Sequence, residues 1–208
     1  QRQMCIRDSI KGKRLYAGIP LVPGIFEYQF MRGTSTDRER RLAGLIHAYK
    51  KAHDAAKGPP KEGFPTTRTI PVDRTVRAGN RIHTYNQVSS YIEKYEPISV
   101  STCFCRHGAK LLDEKDHCGK PDEVCLQFGL GARFVIERGM GREISKEEAL
   151  GILKESEEAG LVHATLNRQE IDFLCNCCPC HCMILKTVIS CPKPGLVMNS
   201  GYGPSWDR

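Results

Sequence analysis

No stretch of this chain approaches the run of about 18 apolar residues needed to span a bilayer, and no export leader stands ahead of its body. Those absences point to a cytoplasmic protein without a membrane span. Charge of one sign is not concentrated either. Lys and Arg number 31 against 24 Asp and Glu, a net +7. The signs are interleaved, as in Asp37-Arg38-Glu39-Arg40-Arg41, which reads as a solvated face and argues against a nucleic-acid surface. Gly129-x-Gly131 and Gly139-x-Gly141 fall short of G-x-G-x-x-G and lack its preceding strand, which disfavours a dinucleotide site. No set of nucleophile, base and orienting group can be picked out. The chain therefore does not read as a catalyst on its own.

Cysteine is what the sequence has in excess. Ten of its 11 cysteines lie between Cys103 and Cys191, and five are packed into Cys175 to Cys182. Disulfide frameworks suit short exported chains, and this one has 208 residues and no leader. Neighbours such as Cys177 and Cys178 also bridge poorly, because a disulfide needs a set Cα separation and facing Cβ vectors. Thiolates converging on metal are the more economical reading, and such soft ligands select zinc, copper(I) or iron–sulfur clusters over magnesium or calcium.

Four stretches organise the chain. Gln1 to Ser9 has no periodicity, resembles a translated sequencing adaptor, and is set aside with Cys5. Residues 10–97 read as a helix-rich scaffold. Ile19 to Phe30 is extended or turning, and Thr36 with Glu39 has capping-box form ahead of a helix over 37–54. Arg68 to Val76 suits an edge strand. Thr84 with Gln87 makes a second capping box, opening a helix that carries Val88, Tyr91, Ile92 and Tyr95. Residues 98–191 form the cysteine-rich metal-binding domain, and 192–208 a linker.

Within the cysteine-rich part, Ile98 to Thr102 alternates like a strand and is expected to present Cys103 and Cys105 on one side. Pro121-Asp122-Glu123 has the form of a helix start, predicting a helix with Val124, Cys125, Phe128, Ala132 and Val135 that Gly139 stops. Ser145 and Glu148 form a third capping box, for a helix ending at Gly160. Leu161 to Asn167 and Ile171 to Cys177 read as a hairpin. The fold class expected is α+β, a helical N-terminal part plus a small cysteine-rich domain with winged-helix-like helix and hairpin elements.

The ligand residues fall into two groups along the sequence. Cys103, Cys105, Cys118 and Cys125 make one; Cys175, Cys177, Cys178, Cys180 and Cys182 make the other. Each can supply a tetrathiolate, and the loop-rich spacings leave room for a [4Fe–4S] cubane. Zinc is the alternative, as a structural metal stabilising a small module, although the spacings match no standard zinc ribbon. Cys125 can also be read as a small buried hydrophobe. Cys177-Cys178-Pro179-Cys180-His181 formally satisfies C-x-x-C-H, but haem of that type is attached outside the cytoplasm. His107, His117 and His181 suit either ligand or supporting roles. Arg106 and Lys186 are placed to donate hydrogen bonds to sulfur and raise a cluster's potential.

Cys103-Phe104-Cys105-Arg106, Cys118 to Cys125 and Cys175-Asn176-Cys177-Cys178-Pro179-Cys180-His181-Cys182 together resemble a family of iron–sulfur proteins of anaerobic metabolism. Pro23 to Gly33 and Ile70-Pro71-Val72 are similar to the segment that precedes its cysteine region, so the resemblance covers most of residues 19–200. It implies a [4Fe–4S] cofactor, electron transfer, and a C-terminal ferredoxin-type domain with two C-x2-C-x2-C-x3-C-P runs. Those runs are missing here, so the chain is expected to be a fragment. Its partner would be a redox protein or that ferredoxin domain. The competing expectation is a zinc-stabilised, winged-helix-like binding or regulatory module without redox activity. The candidate recognition helix at 145–160 is acidic, which speaks against phosphate as its target.

Overall fold

Periods of two and of 3.6 residues sort the chain into nine strands and six helices among the described residues, which are 5–10, 13–18, 24–57, 67–69, 88–112, 118–167, 170–194 and 198–199 of a computed structural model. In chain order these are β1 (Cys5–Ile10), β2 (Lys13–Gly18), α1 (Asp37–Lys57), β3 (Thr67–Thr69), α2 (Val88–Lys94), β4 (Ile98–Thr102), α3 (Phe104–Leu112), β5 (Glu123–Phe128), α4 (Leu130–Glu137), β6 (Arg142–Ile144), α5 (Lys146–Glu158), β7 (Val162–Leu166), β8 (Phe173–Cys177), α6 (Met183–Ser190) and β9 (Met198–Asn199). β1 and β2 form a separate antiparallel ribbon. The other strands join in the order β6-β4-β5-β8-β7-β3-β9, antiparallel throughout except for the β3–β9 pair. The fold is α+β.

Val100, Leu126 and Leu174 face one another across β4, β5 and β8 in register, and none of the three is exposed to solvent. Each such side chain contributes roughly 1.5–3 kcal/mol of burial. Tyr91 and Ile92 of α2 and Ala149, Ile152 and Leu153 of α5 pack into the same core. A second cluster joins Phe30, Ala43 and Ile46 to Phe104 and Leu111, so α1 rests on α3. Among the described residues no helix is long and apolar enough to cross a membrane.

Local signals hold where a cap decides the structure. The Glu39 N–H donates to Thr36 Oγ1 at 3.3 Å and the Thr36 N–H returns to Glu39 Oε2 at 2.9 Å, a reciprocal box opening α1. Ser145 accepts from the Glu148 N–H at 3.1 Å to start α5, and Gly160 (φ +67°) follows that helix's C-terminal end. The hairpin is β7–β8. The box at Thr84 and Gln87, and most of the strand expected over 68–76, lie outside the described residues.

Three expectations change. Pro121 to Phe128 does not start a helix: Val124, Leu126 and Phe128 are buried at every second position of strand β5, which is clamped between β4 and β8, and the helix begins only at Leu130, after Gly129 (φ +53°). Cys103 and Cys105 do not share a strand face, because β4 ends at Thr102 and α3 begins at Phe104, with the Cys103 carbonyl accepting from the His107 N–H. Nor is β3 at an edge, since it is paired on both sides by β7 and β9.

Candidate metal centre

Strand alternation places Cys125, Cys175 and Cys177 on the face of the sheet opposite Leu126 and Leu174, while Cys178, with Cys118 packed against it, joins the core cluster of those leucines. Cys103 follows the end of β4, the first turn of α3 carries Cys105, and β5 and β8 run side by side with Cys125 and with Cys175 and Cys177. The chain then turns through Cys178-Pro179-Cys180-His181 to Cys182, the residue before α6. Asn176 pins this arrangement from the opposite pleat of β8. Its Nδ2 donates to the Val124 carbonyl at 2.6 Å, its Oδ1 accepts from His163 Nδ1 at 2.5 Å, and its carbonyl takes Arg106 Nη1 at 3.1 Å. Adjacent strand residues point to opposite faces, so fixing Asn176 fixes Cys175 and Cys177 on the other.

The thiols sort into two sets that cut across the two groups of the linear sequence. The inner set is a run of neighbouring thiols: Cys125 beside Cys175, Cys175 beside Cys177, and Cys177 and Cys105 both beside Cys182. Hydrogen bonds from Cys105 and Cys177 push the Cys182 thiol far down despite burial, and its place at the start of α6 adds to this. Donation to Cys182 and burial push Cys105 up, and donation to Cys175 and burial do the same for Cys125. Burial raises Cys103, on the rim of this set, to about 11.

The outer set is compact. The sulfurs of Cys118, Cys178 and Cys180 lie within 4.8 Å of one another, the one group of three such ligand atoms this close among the described residues. Cys118 Sγ is 4.0 Å from Cys178 Sγ, and His181 Nδ1 is 3.8 Å from the latter. Burial opposes ionisation of Cys178, yet the His181 backbone, the Arg106 guanidinium and the His181 ring together bring it down to about 7. This trio can hold a metal ion.

Arg106, expected from the sequence to donate to sulfur, lies enclosed beside Cys178. Its side chain is 2% exposed; Nη1 serves the Asn176 carbonyl, Nε stands 3.8 Å from Asp122 Oδ1, and neither Nε nor Nη2 meets a hydrogen-bond acceptor. A buried cation so short of acceptors suits a site that gains negative charge when thiols give up protons to a metal. The donor set therefore fits a thiolate-bound metal. Lys186, by contrast, is exposed on α6, and Cys191 lies beyond that helix with its Sγ on the Lys193 carbonyl. His107 is turned away, its Nε2 at 2.7 Å from the Thr34 carbonyl, and His117 lies outside the described residues. Cys177 and Cys180, the two cysteines of the C-x-x-C-H pattern, belong to different sets.

Gln127 is a residue the sequence gave no reason to single out. Buried between β4 and β5, it donates from Nε2 to Ser101 Oγ, to the Cys125 carbonyl and to Cys125 Sγ at 3.2 Å, while Ser99 donates to its Oε1. It therefore orients one inner sulfur. No family model, curated protein or solved structure matches this chain.

Proposed function

We propose that the chain is an iron–sulfur protein that relays electrons in anaerobic redox metabolism, with four of the inner thiols Cys105, Cys125, Cys175, Cys177 and Cys182 as ligands of a [4Fe–4S] cluster. The observation that carries the reading is the inner relay itself. Five thiols from four separate elements reach one another in an extended chain, with no three drawn within 4.8 Å among the described residues. A polynuclear cluster needs ligands spread over several metal corners, whereas a single ion draws them together. When bound, such a cluster accepts and releases single electrons.

The residues around it have separate tasks. Arg106 supplies positive charge against the thiolates, and Gln127 holds the Cys125 sulfur by its N–H. Asn176 keeps β8 from rotating its cysteines away, and burial by β5, β8 and α6 restricts water. Charge, hydrogen bonding to sulfur and solvent access are the levers by which a protein sets a cluster's potential. The electron partner is a redox protein or a ferredoxin-type domain.

A second reading, a zinc-stabilised binding module without redox activity, draws support from the compactness of Cys118, Cys178 and Cys180. Metal and sulfide analysis with a visible spectrum on anaerobically purified protein separates the two. Iron with comparable acid-labile sulfide, and an absorbance that bleaches on reduction, is the expected result. A colourless protein holding zinc alone would overturn the electron-transfer reading.

A further inference from the structure

The outer trio differs from the inner relay in size, exposure and surroundings. A tetrahedral zinc site with Zn–S bonds of about 2.3 Å sets its sulfurs about 3.8 Å apart. The 4.0 Å between Cys118 and Cys178 sulfurs, and the 4.8 Å limit containing all three, match that scale with little movement. Cys177 and Cys178 are consecutive, yet Cys177 packs with Cys175 and Cys182 while Cys178 turns to Cys118, His181 and Arg106. The end of β8 at Cys177 is what parts them.

Burial is graded across the trio. Cys178 is fully enclosed, Cys118 is half-buried and Cys180 is exposed. His181 is buried with Nδ1 3.8 Å from Cys178 Sγ but does not join the three sulfurs that lie within 4.8 Å of one another, so it supports that sulfur, and the exposed side of the trio is at Cys180. Three thiolates around a divalent cation leave one net negative charge. The Arg106 guanidinium, 98% enclosed, with two nitrogens lacking an acceptor, stands beside Cys178 to meet it.

We propose that Cys118, Cys178 and Cys180 form a second, mononuclear centre, separate from the inner thiols, that takes one thiophilic divalent cation of the zinc class and keeps its fourth position open to an outside ligand. The two-centre description rests on the inner-cluster reading above; the outer site stands on its own geometry. Zinc sites with three protein ligands and an open position exchange or activate what binds there, while four-ligand sites are structural. The outer centre is thus the accessible one of the pair.

The probe is Co²⁺, added anaerobically to the full chain after its iron and sulfide content has been measured. One equivalent should bind with thiolate-to-cobalt charge-transfer absorption. Cys118→Ser and Cys180→Ser should each weaken Co²⁺ binding by about 100-fold or more while iron and sulfide stay unchanged. Cys175→Ser should do the reverse, and His181→Gln should keep the cobalt band. Each variant's retained metal reports that it has folded. In the unaltered chain, one equivalent of Zn²⁺ should shield Cys118 and Cys180 from alkylation, mapped by mass spectrometry, so no result depends on a variant folding. Failure to bind Co²⁺, no shielding by Zn²⁺, or loss of iron in Cys118→Ser and Cys180→Ser would overturn the outer centre. Cobalt binding in a protein that never forms an iron–sulfur chromophore would overturn the cluster reading alone.

Discussion

Replacing Arg106 by Met keeps much of the side-chain length and removes the charge, which isolates the electrostatic role of the residue. The substitution deletes the hydrogen bond from Nη1 to the Asn176 carbonyl and leaves that buried oxygen short of a partner, a loss of about 1.5–3 kcal/mol for a charged donor. It also takes the cation from Asp122 and Cys178. Breaking a buried pair from one side costs about 3–5 kcal/mol, but Asp122 is about one-third exposed and keeps Lys110 as a partner, which places this contribution near or below the low end. The two effects overlap at one guanidinium, so the net loss should be about 3 kcal/mol. At about 2–4 °C per kcal/mol for a chain of this size, the midpoint of thermal unfolding should fall by about 6–12 °C. Anaerobic circular dichroism on the metal-loaded protein reads the midpoint, and a urea series checks that the slope is unchanged. Arg106→Lys should recover part of the loss, because charge returns without the planar fork. A Met variant within 1 kcal/mol of the parent would refute the role assigned to this residue.

Three further outcomes are expected. Gly141→Ala places a Cβ against the Val100 carbonyl and 2.8 Å from Val135 Cγ1, so it should destabilise by about 1–3 kcal/mol in chemical denaturation as β6 and α4 are forced apart. Gln127→Leu strands the buried Ser99 hydroxyl and takes a donor from Ser101 Oγ, which keeps the Cys125 carbonyl; a loss of about 1–3 kcal/mol should accompany a shifted reduction potential, read by spectroelectrochemistry. Burial holds His163 below its ordinary 6.5 although Asn176 and Glu157 pull the other way. The unfolded chain then binds the proton first, so stability should be full above that value and fall as pH drops below it; His163→Gln should flatten this slope in urea midpoints between pH 7.5 and about 5.

What the sequence discloses here is local. Thr36 with Glu39 and Ser145 with Glu148 announce helix starts because caps act over three residues, and Gly160 announces a stop for the same reason. The stretch from Pro121 to Phe128 misleads because proline, an acidic pair and apolar residues four apart favour helix, while the alternation of Val124, Leu126 and Phe128 favours strand equally well. Pairing with β4 and β8 settles it, and that pairing is invisible in the linear order. The cysteines are legible as a set of candidate ligands, since so many of them have no other economical use. Their partition is not. Cys125 meets Cys175 because β5 lies beside β8, and Cys105 meets Cys182 because two helix starts converge. Arg106 stands out in the sequence by its place after the first cysteine pair, but its enclosure emerges only when the core closes over it.

The peg at Asn176 has a consequence for how this segment can vary over time. Cys175 and Cys177 sit on one pleat, Asn176 on the other, and Cys178 begins the turn. Adding or removing one residue in this stretch would hand each cysteine its neighbour's environment and bury an unpaired amide among sulfurs. Point changes can be absorbed one at a time, whereas a change of length would scramble both sulfur sets at once. Length drift among natural variants should therefore collect in the turn between β7 and β8 and avoid Cys175 to Cys182.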